Sequence, residues 1–270
     1  MINVQDEYRG LLSGILHGGA QKEDRTNTGT RSVYGRVLRH DMATGFPLLT
    51  AKKIYFNHAV TELLWILQGR TDLAYLHKYG VTYWDDNYNK SNRKDGTLGS
   101  VYGQQLRNFN GFDQLKHILF EIKENPSSRR IMASLWNPSD LSNMALPPCH
   151  YGFQVYINDG KLSLSWNQRS VDIFLGLPYD IAMYGLLLLM LAKGNGYKPG
   201  QLIAFMGDCH IYNNHIEQAK IYLDRKDLIL PNVKLLKGLQ YNEKIVVPSH
   251  KDIILENYNS NIPIKAPLAT

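Results

Sequence analysis

Cysteine is scarce: the 270-residue chain has two, Cys149 and Cys209. Two thiols cannot build a disulfide framework, and neither belongs to a CxxC pair or lies near a metal-type histidine spacing. No metal site is predicted, and a reducing cytoplasm with free thiols is the simplest setting. Long apolar runs are missing too. The longest, Gly185–Ala192 with Ile181, Ala182 and Met183 before it, falls short of the roughly 20 residues that cross a bilayer, and reads as a buried core helix. The opening MINVQDEYRG has acidic residues where a secretory signal has a basic end and an apolar stretch, which argues against secretion. No Lys/Arg run exceeds a pair, so the net charge of +6 has no nucleic-acid-reading motif behind it and fits small anionic ligands equally well. Repeats, linkers and low-complexity segments are also absent. With 44% hydrophobic and 20% charged residues, the chain can build one sizeable core, and a single domain over residues 1–270 is predicted.

The pattern of apolar residues predicts a mixed α+β order. Gln5–Ile15 has helical spacing, a polar stretch covers Gly18–Thr30, and Ser32–Leu38 alternates like a strand. His58–Leu67 is helical again and stops at Gly69. The segment Trp84–Gly103, rich in Asn, Asp, Lys and Gly, reads as a surface loop whose aromatics Trp84, Tyr88 and Tyr102 serve a site. A helix over Asp113–Glu124 ends at Asn125-Pro126. Arg130–Trp136, Tyr151–Ile157 and Lys161–Gln168 read as strands, the last two joined by a hairpin at Asn158, Asp159 and Gly160. The apolar helix follows, then a strand at Leu202–Met206, a helix over Asn213–Leu223 and a less regular tail.

Cys149, in the segment LPPCH, is ambiguous as a residue, since free cysteines are commonly small buried hydrophobes. Its neighbours favour a nucleophile. Two prolines fix the approach, His150 adjoins it, and nearby strands carry arginines able to lower a thiol pKa.

Several motifs then recur in one order: DRTNTGT, ELLWILQG, VTYWD, VYGQQLR, PSSRRI, ALPPCH, QRSVDIFLGLPYDIA, GDCHIYNNH and a closing IKAPLAT. Over nearly its whole length the chain resembles the thymidylate synthase family. The resemblance implies a central mixed β-sheet packed with helices, one sheet face forming a homodimer interface. It implies that Cys149 adds to C6 of a pyrimidine nucleotide, so that C5 can attack the carbon of 5,10-methylenetetrahydrofolate. Glu62 matches the carboxylate that organises proton transfers, although alone it would read as an exposed helix glutamate. Tyr102 matches the tyrosine that helps remove the C5 proton. Arg25, Arg129, Arg130 and Arg169 match the phosphate-holding arginines, with Ser170 adding a hydroxyl, and Arg169 is also expected to favour the thiolate. Arg129 and Arg130 match the pair that crosses into the neighbouring subunit's site. His210 and Tyr212 match the sugar-binding residues. Lys52, Trp84, Asp172, Leu175, Gly176 and Tyr179 match folate contacts, and Ala269 and Thr270 the tail that closes over folate.

One departure bears on the substrate. The family reads LPFNIA or a near variant, whereas this chain reads LPYDIA, with Asp180 in place of asparagine. An asparagine amide accepts from uracil N3–H and donates to O4. Cytosine presents a 4-amino donor and a bare N3, so aspartate accepts from the amino group and, when protonated, completes the pair. A mismatched buried polar group costs about 1 to 3 kcal/mol, roughly tenfold or greater discrimination. The competing reading makes Asp180 the cap of a helix starting near Ile181.

The expected substrate is therefore dCMP. Methyl transfer is favoured by Trp84 and the intact tail. Hydroxymethylation competes with it, since Asn87 replaces a second tryptophan and Trp166-Asn167 alter the residues before Gln168, changes that could open the wall to water. The same motifs are also compatible with a thymidylate synthase acting on dUMP and with a non-catalytic nucleic-acid-binding relative. The presence of both Cys149 and Glu62 argues against the non-catalytic reading.

Overall fold

A computed structural model of the chain describes residues 1–269; Thr270, which the resemblance assigns to the closing tail, lies outside the described residues. Helix α1 (Val4–Gly18) starts where Asn3 accepts the Gln5 N–H, and buries Val4, Tyr8, Leu12 and Ile15 along one stripe. Strand β1 (Ala20–Lys22), inside the predicted polar stretch, pairs with β2 (Thr30–Asp41). Helix α2 (Phe56–Leu67) ends just before Gly69, whose φ of 72° suits glycine. Short helices α3 (Leu73–Lys78), α4 (Asp85–Lys90) and α5 (Tyr102–Arg107) follow.

The predicted surface loop over Trp84–Gly103 is thus corrected: it contains α4 and the start of α5, and Trp84 and Tyr102 are buried. Its polar composition concealed an aromatic stack, in which the Trp84 ring centroid lies 6.4 Å from that of Trp65 on α2 and 6.0 Å from that of Tyr102. Helix α6 (Gln114–Glu124) is capped by Asp113, which accepts from the Lys116 N–H. Strand β3 covers only Met132–Ser134 of the predicted Arg130–Trp136.

Strands β4 (His150–Asn158) and β5 (Lys161–Asp172) form the predicted hairpin. Asp159 (φ 49°) and Gly160 (φ 70°) are both left-handed, as a tight twisted turn requires. Helix α7 (Leu177–Gly194) leads to β6 (Lys198–Tyr212), far longer than the predicted Leu202–Met206 because β2 pairs along one edge and β5 along the other. After α8 (Ile216–Asp224) the tail is more regular than predicted, with Asn232–Leu235 pairing Ile253–Glu256 and Gln240–Asn242 pairing Lys244–Val246.

The six-stranded sheet has the order β1-β2-β6-β5-β4-β3, with β5 and β6 parallel and all other neighbours antiparallel. This is the mixed, helix-packed sheet predicted. Helix α7 lies against β5 and β6, with α2 packed on it. By length and composition α7 could cross a membrane, yet most of it is buried inside the protein. The opposite sheet face leaves Tyr156 and Phe205 exposed, together with Val37 and Met132. A shallow concavity of about 520 Å³ on that face is lined by Gln154, Tyr156, Ser163, Ser165, Gln201 and Ile203 among others. It lies on the far side of the sheet from the thiol and the carboxyls described next.

Candidate active site

Cys149 sits just before β4, where the register of β4 on β5 shifts between His150 and Gly152. A bulge at a strand start re-aims the chain, and here it turns the thiol toward a cavity at the end of the sheet. Two contacts fix this corner: the Cys149 N–H donates to the Tyr102 hydroxyl at 3.0 Å, and the Arg169 N–H to the Cys149 carbonyl at 2.9 Å. The cavity, about 370 Å³, is lined by Glu62, Tyr83, Trp84, Tyr102, Leu146, Cys149, His150, Gln168, Ser170, Asp172, Leu175, Gly176, Tyr179, Asp180, Ala266 and Leu268. A second cleft of about 240 Å³ joins it at Ser170 and holds Arg25, Arg169, His210 and Tyr212 together with Lys22, Glu23, Asp24, Thr30 and Asp208.

Glu62 does not point to solvent on the outside of α2. Its carboxyl faces the cavity, Oε2 accepting from the Tyr83 hydroxyl at 2.6 Å and Oε1 from the Trp84 indole N–H at 2.8 Å. Loss of hydration raises its pKa, and these two donors pull it back part of the way. Tyr83 was missed in the sequence, where nothing marks its hydroxyl as reaching a helix carboxylate.

Asp180 lies in the first turn of α7 and faces the same cavity. The helix begins at Leu177 with Gly176 at its N-cap, and no side chain caps it. The capping reading of Asp180 is therefore set aside. Its Oδ2 instead accepts from the Gln168 amide at 2.8 Å. Loss of hydration, then the negative charges of Glu62 and Asp172, outweigh that bond and push its pKa up to about 7.

The thiol differs from expectation. Burial raises the Cys149 pKa, and the charges of Arg169 and Arg25, which act the other way, do not overcome it. Arg169 is partly occupied: its Nε donates to the Pro148 carbonyl at 2.9 Å and its Nη2 to the Pro147 carbonyl at 3.1 Å, clamping the two prolines before the thiol. His150 offers no base. Its Nδ1 is bonded to the Tyr184 hydroxyl at 2.8 Å, its ring stacks on Tyr102, and burial depresses its pKa to about 3.

The loop bearing Arg25 is held by Asp24, whose Oδ1 accepts from the N–H groups of Thr28 and Gly29 at 3.1 and 3.0 Å. Arg25 is left exposed at the cleft, with no side-chain hydrogen bond among the described residues. Cations, the Ser170 hydroxyl and the half-buried Tyr212 suit an anionic, hydroxyl-bearing ligand.

Some predicted contacts lie elsewhere. Arg129 and Arg130 are exposed in the turn before β3 and line neither space. Lys52 is buried behind the wall, where its ammonium donates to the Phe174 carbonyl and burial lowers its pKa to about 8. Ala269 is not in the lining, although Ala266 and Leu268 of the same tail are. The tail is tied down where His215 Nε2 meets the Pro267 carbonyl at 2.7 Å. Trp166 is fully buried and stacked on Tyr184 rather than lining the cavity, and the Asn87 position supplies no side chain to the cavity wall.

The cavity fits a flat, partly polar heterocycle such as folate. Trp84, Leu175, Tyr179 and Leu268 supply apolar walls, and Asp172, whose Oδ1 is taken by the N–H groups of Phe174 and Leu175, has an Oδ2 with no hydrogen bond among the described residues.

A mixed sheet that sets a thiol between a cationic cleft and an aromatic, carboxyl-lined cavity is the architecture of an enzyme for small anionic molecules. Residues 6–270 match the family model described as thymidylate synthase, and the chain belongs to that family. As a member it is a C1-transferring enzyme of nucleotide biosynthesis. The family reaction is folate-dependent methyl transfer to C5 of a pyrimidine nucleotide, with methylenetetrahydrofolate as co-substrate.

Proposed function

We propose that the protein transfers a one-carbon unit from methylenetetrahydrofolate to C5 of dCMP, giving the 5-methyl product. The observation that carries this reading is Asp180, a cavity-facing carboxyl near Cys149 with a pKa of about 7. Carrying a proton through much of the neutral range, it accepts from the cytosine 4-amino group with one oxygen and donates to N3 with the other.

The Cys149 thiolate adds to C6, and the electron pair displaced from the ring double bond makes C5 nucleophilic. Arg169 and Arg25 favour the thiolate against the effect of burial. Once C5 has bonded the one-carbon unit, loss of the C5 proton supplies the electron pair that breaks the bond between that carbon and the folate nitrogen. Addition of hydride to the freed carbon then re-forms the C5–C6 double bond and expels the Cys149 thiolate, the folate leaving as dihydrofolate. Tyr102, whose hydroxyl lies beside the Cys149 backbone, helps remove that proton, and Glu62 relays protons with Tyr83 and Trp84 as its partners. Folate supplies the carbon and, for a methyl product, the hydride. Arg25, Arg169 and Ser170 hold the phosphate, His210 and Tyr212 the deoxyribose, and Trp84, Asp172, Leu175, Gly176 and Tyr179 the folate.

Methyl is preferred because Trp166 is packed on Tyr184 away from the cavity and Ala266 and Leu268 of the tail add apolar side chains to the lining, which favours shielding the new carbon from water. Hydroxymethylation is the second reading, favoured by the Tyr83 hydroxyl and Glu62, polar groups that can hold water in the cavity. We further propose a homodimer formed through the sheet face that exposes Tyr156 and Phe205, with Arg129 and Arg130 reaching the second copy's phosphate cleft. The test is incubation with methylenetetrahydrofolate and either dCMP or dUMP, identifying the nucleotide by mass and dihydrofolate by absorbance. 5-Methyl-dCMP with equimolar dihydrofolate is expected. 5-Hydroxymethyl-dCMP without dihydrofolate supports the second reading, and reaction of dUMP alone overturns both.

A further inference from the structure

A protonated carboxyl is, by itself, a poor discriminator. With the proton on one oxygen it pairs with cytosine, and with the proton on the other it pairs equally well with uracil, whose donor and acceptor are reversed. Discrimination requires that something fix which oxygen holds the proton.

A chain of hydrogen bonds behind Asp180 does this. Trp166 is fully buried on β5, its ring parallel to that of Tyr184 (interplanar angle 8°, centroids 4.9 Å apart), so the indole cannot turn. Its N–H is a donor only, and it lies 3.0 Å from Gln168 Oε1. That contact leaves the Gln168 amide one orientation: Nε2 faces Asp180 Oδ2 at 2.8 Å and the Ser170 carbonyl at 3.3 Å. An N–H donated to Oδ2 makes Oδ2 the carbonyl-like oxygen and moves the proton of the acid to Oδ1.

We propose that Trp166 is a specificity-determining residue, acting through Gln168 to fix Asp180 as an acceptor at Oδ2 and a donor at Oδ1, so that the acid reads cytosine and rejects uracil. The inference rests on the dCMP reading above and requires Oδ2 to face the 4-amino group and Oδ1 to face N3. Trp166 touches no substrate; it is a positioning residue two hydrogen bonds away.

The test compares kcat/KM for dCMP and for dUMP, and the Kd of each nucleotide by calorimetry, in the wild type, Trp166→Phe and Gln168→Met. Phe keeps an aromatic ring against Tyr184 without the N–H, and Met keeps the length of Gln without the amide. Each variant is expected to lower the dCMP:dUMP ratio roughly tenfold, the cost of one misdirected buried hydrogen bond. The double variant is expected to lose little more than either single one, because both break the same chain. A purely structural role would weaken both nucleotides alike and leave the ratio unchanged, which overturns the proposal. A wild type that prefers dUMP overturns the dCMP reading itself, and that outcome is visible before any variant is made.

Discussion

A carboxyl that must stay near neutral inside a protein leaves a mark on stability as well as on recognition. Asp180 has a folded pKa of about 7 against an ordinary value of 3.8, so between those limits the folded state holds a proton that the unfolded state has lost. The sign follows: stability is undiminished below about pH 4 and declines as pH rises toward 7, by at most on the order of 4 kcal/mol and less for the water Asp180 keeps on its cavity side. Asp180→Asn is therefore expected to stabilise the protein progressively from about pH 4.5 to about pH 7.5, measured by urea unfolding of both proteins across that range. An equal difference at every pH would contradict the assignment. Tyr83 makes a second mark. Its hydroxyl lowers the pKa of Glu62, so Tyr83→Phe is expected to move the acid limb of the kcat/KM profile to higher pH and to slow turnover about tenfold.

These two residues also mark how far side-chain roles were legible. Asp180 stood out because one letter differs within an otherwise continuous motif. Tyr83, one position before Trp84, did not stand out, because its significance is a hydrogen bond to a helix twenty-one residues away in sequence. The influence of Arg169 on the thiol has the sign the sequence suggests, but the larger opposing effect of burial cannot be seen without the fold.

Among the elements, periodicity predicted those with one clear apolar face or two. The stripe of α1 and the nearly uniform apolar character of α7 are direct records of burial on one side and on all sides. Segments whose shape depends on distant partners were misread: β6 runs to fifteen residues because it has neighbours on both edges, and α4 and α5 form where aromatics from a polar segment pack on α2. The close fit of α7 gives a test of this packing. A Cβ at Gly185 would lie 2.5 Å from Pro47 Cγ, so Gly185→Ala is expected to destabilise the protein by about 1 to 3 kcal/mol despite alanine's better helix propensity. Denaturant midpoints decide it, and a stabilised variant would show that the contact is loose.

For the molecule as a whole, the outer sheet face is the feature a monomer explains least. Phe205 pairs across β2 with Val37, both exposed, and Tyr156 stands exposed on β4 of the same face. Light scattering is expected to give twice the 30.8 kDa chain mass, and Phe205→Asp is expected to give a monomer with little activity, because in the proposed dimer Arg129 and Arg130 serve the second copy's phosphate cleft. A monomeric wild type with full activity would contradict the shared site.

Cytosine selection by Asp180 is the claim on which substrate and mechanism both turn. Its most direct test offers dCMP and dUMP together, at equal concentration and with methylenetetrahydrofolate, to the wild type and to Asp180→Asn, and measures the ratio of C5-modified products. Wild-type product is expected to come from dCMP by roughly tenfold or more, with the preference reversed in the variant. A wild type that modifies chiefly dUMP, or a ratio the substitution leaves unchanged, would contradict it.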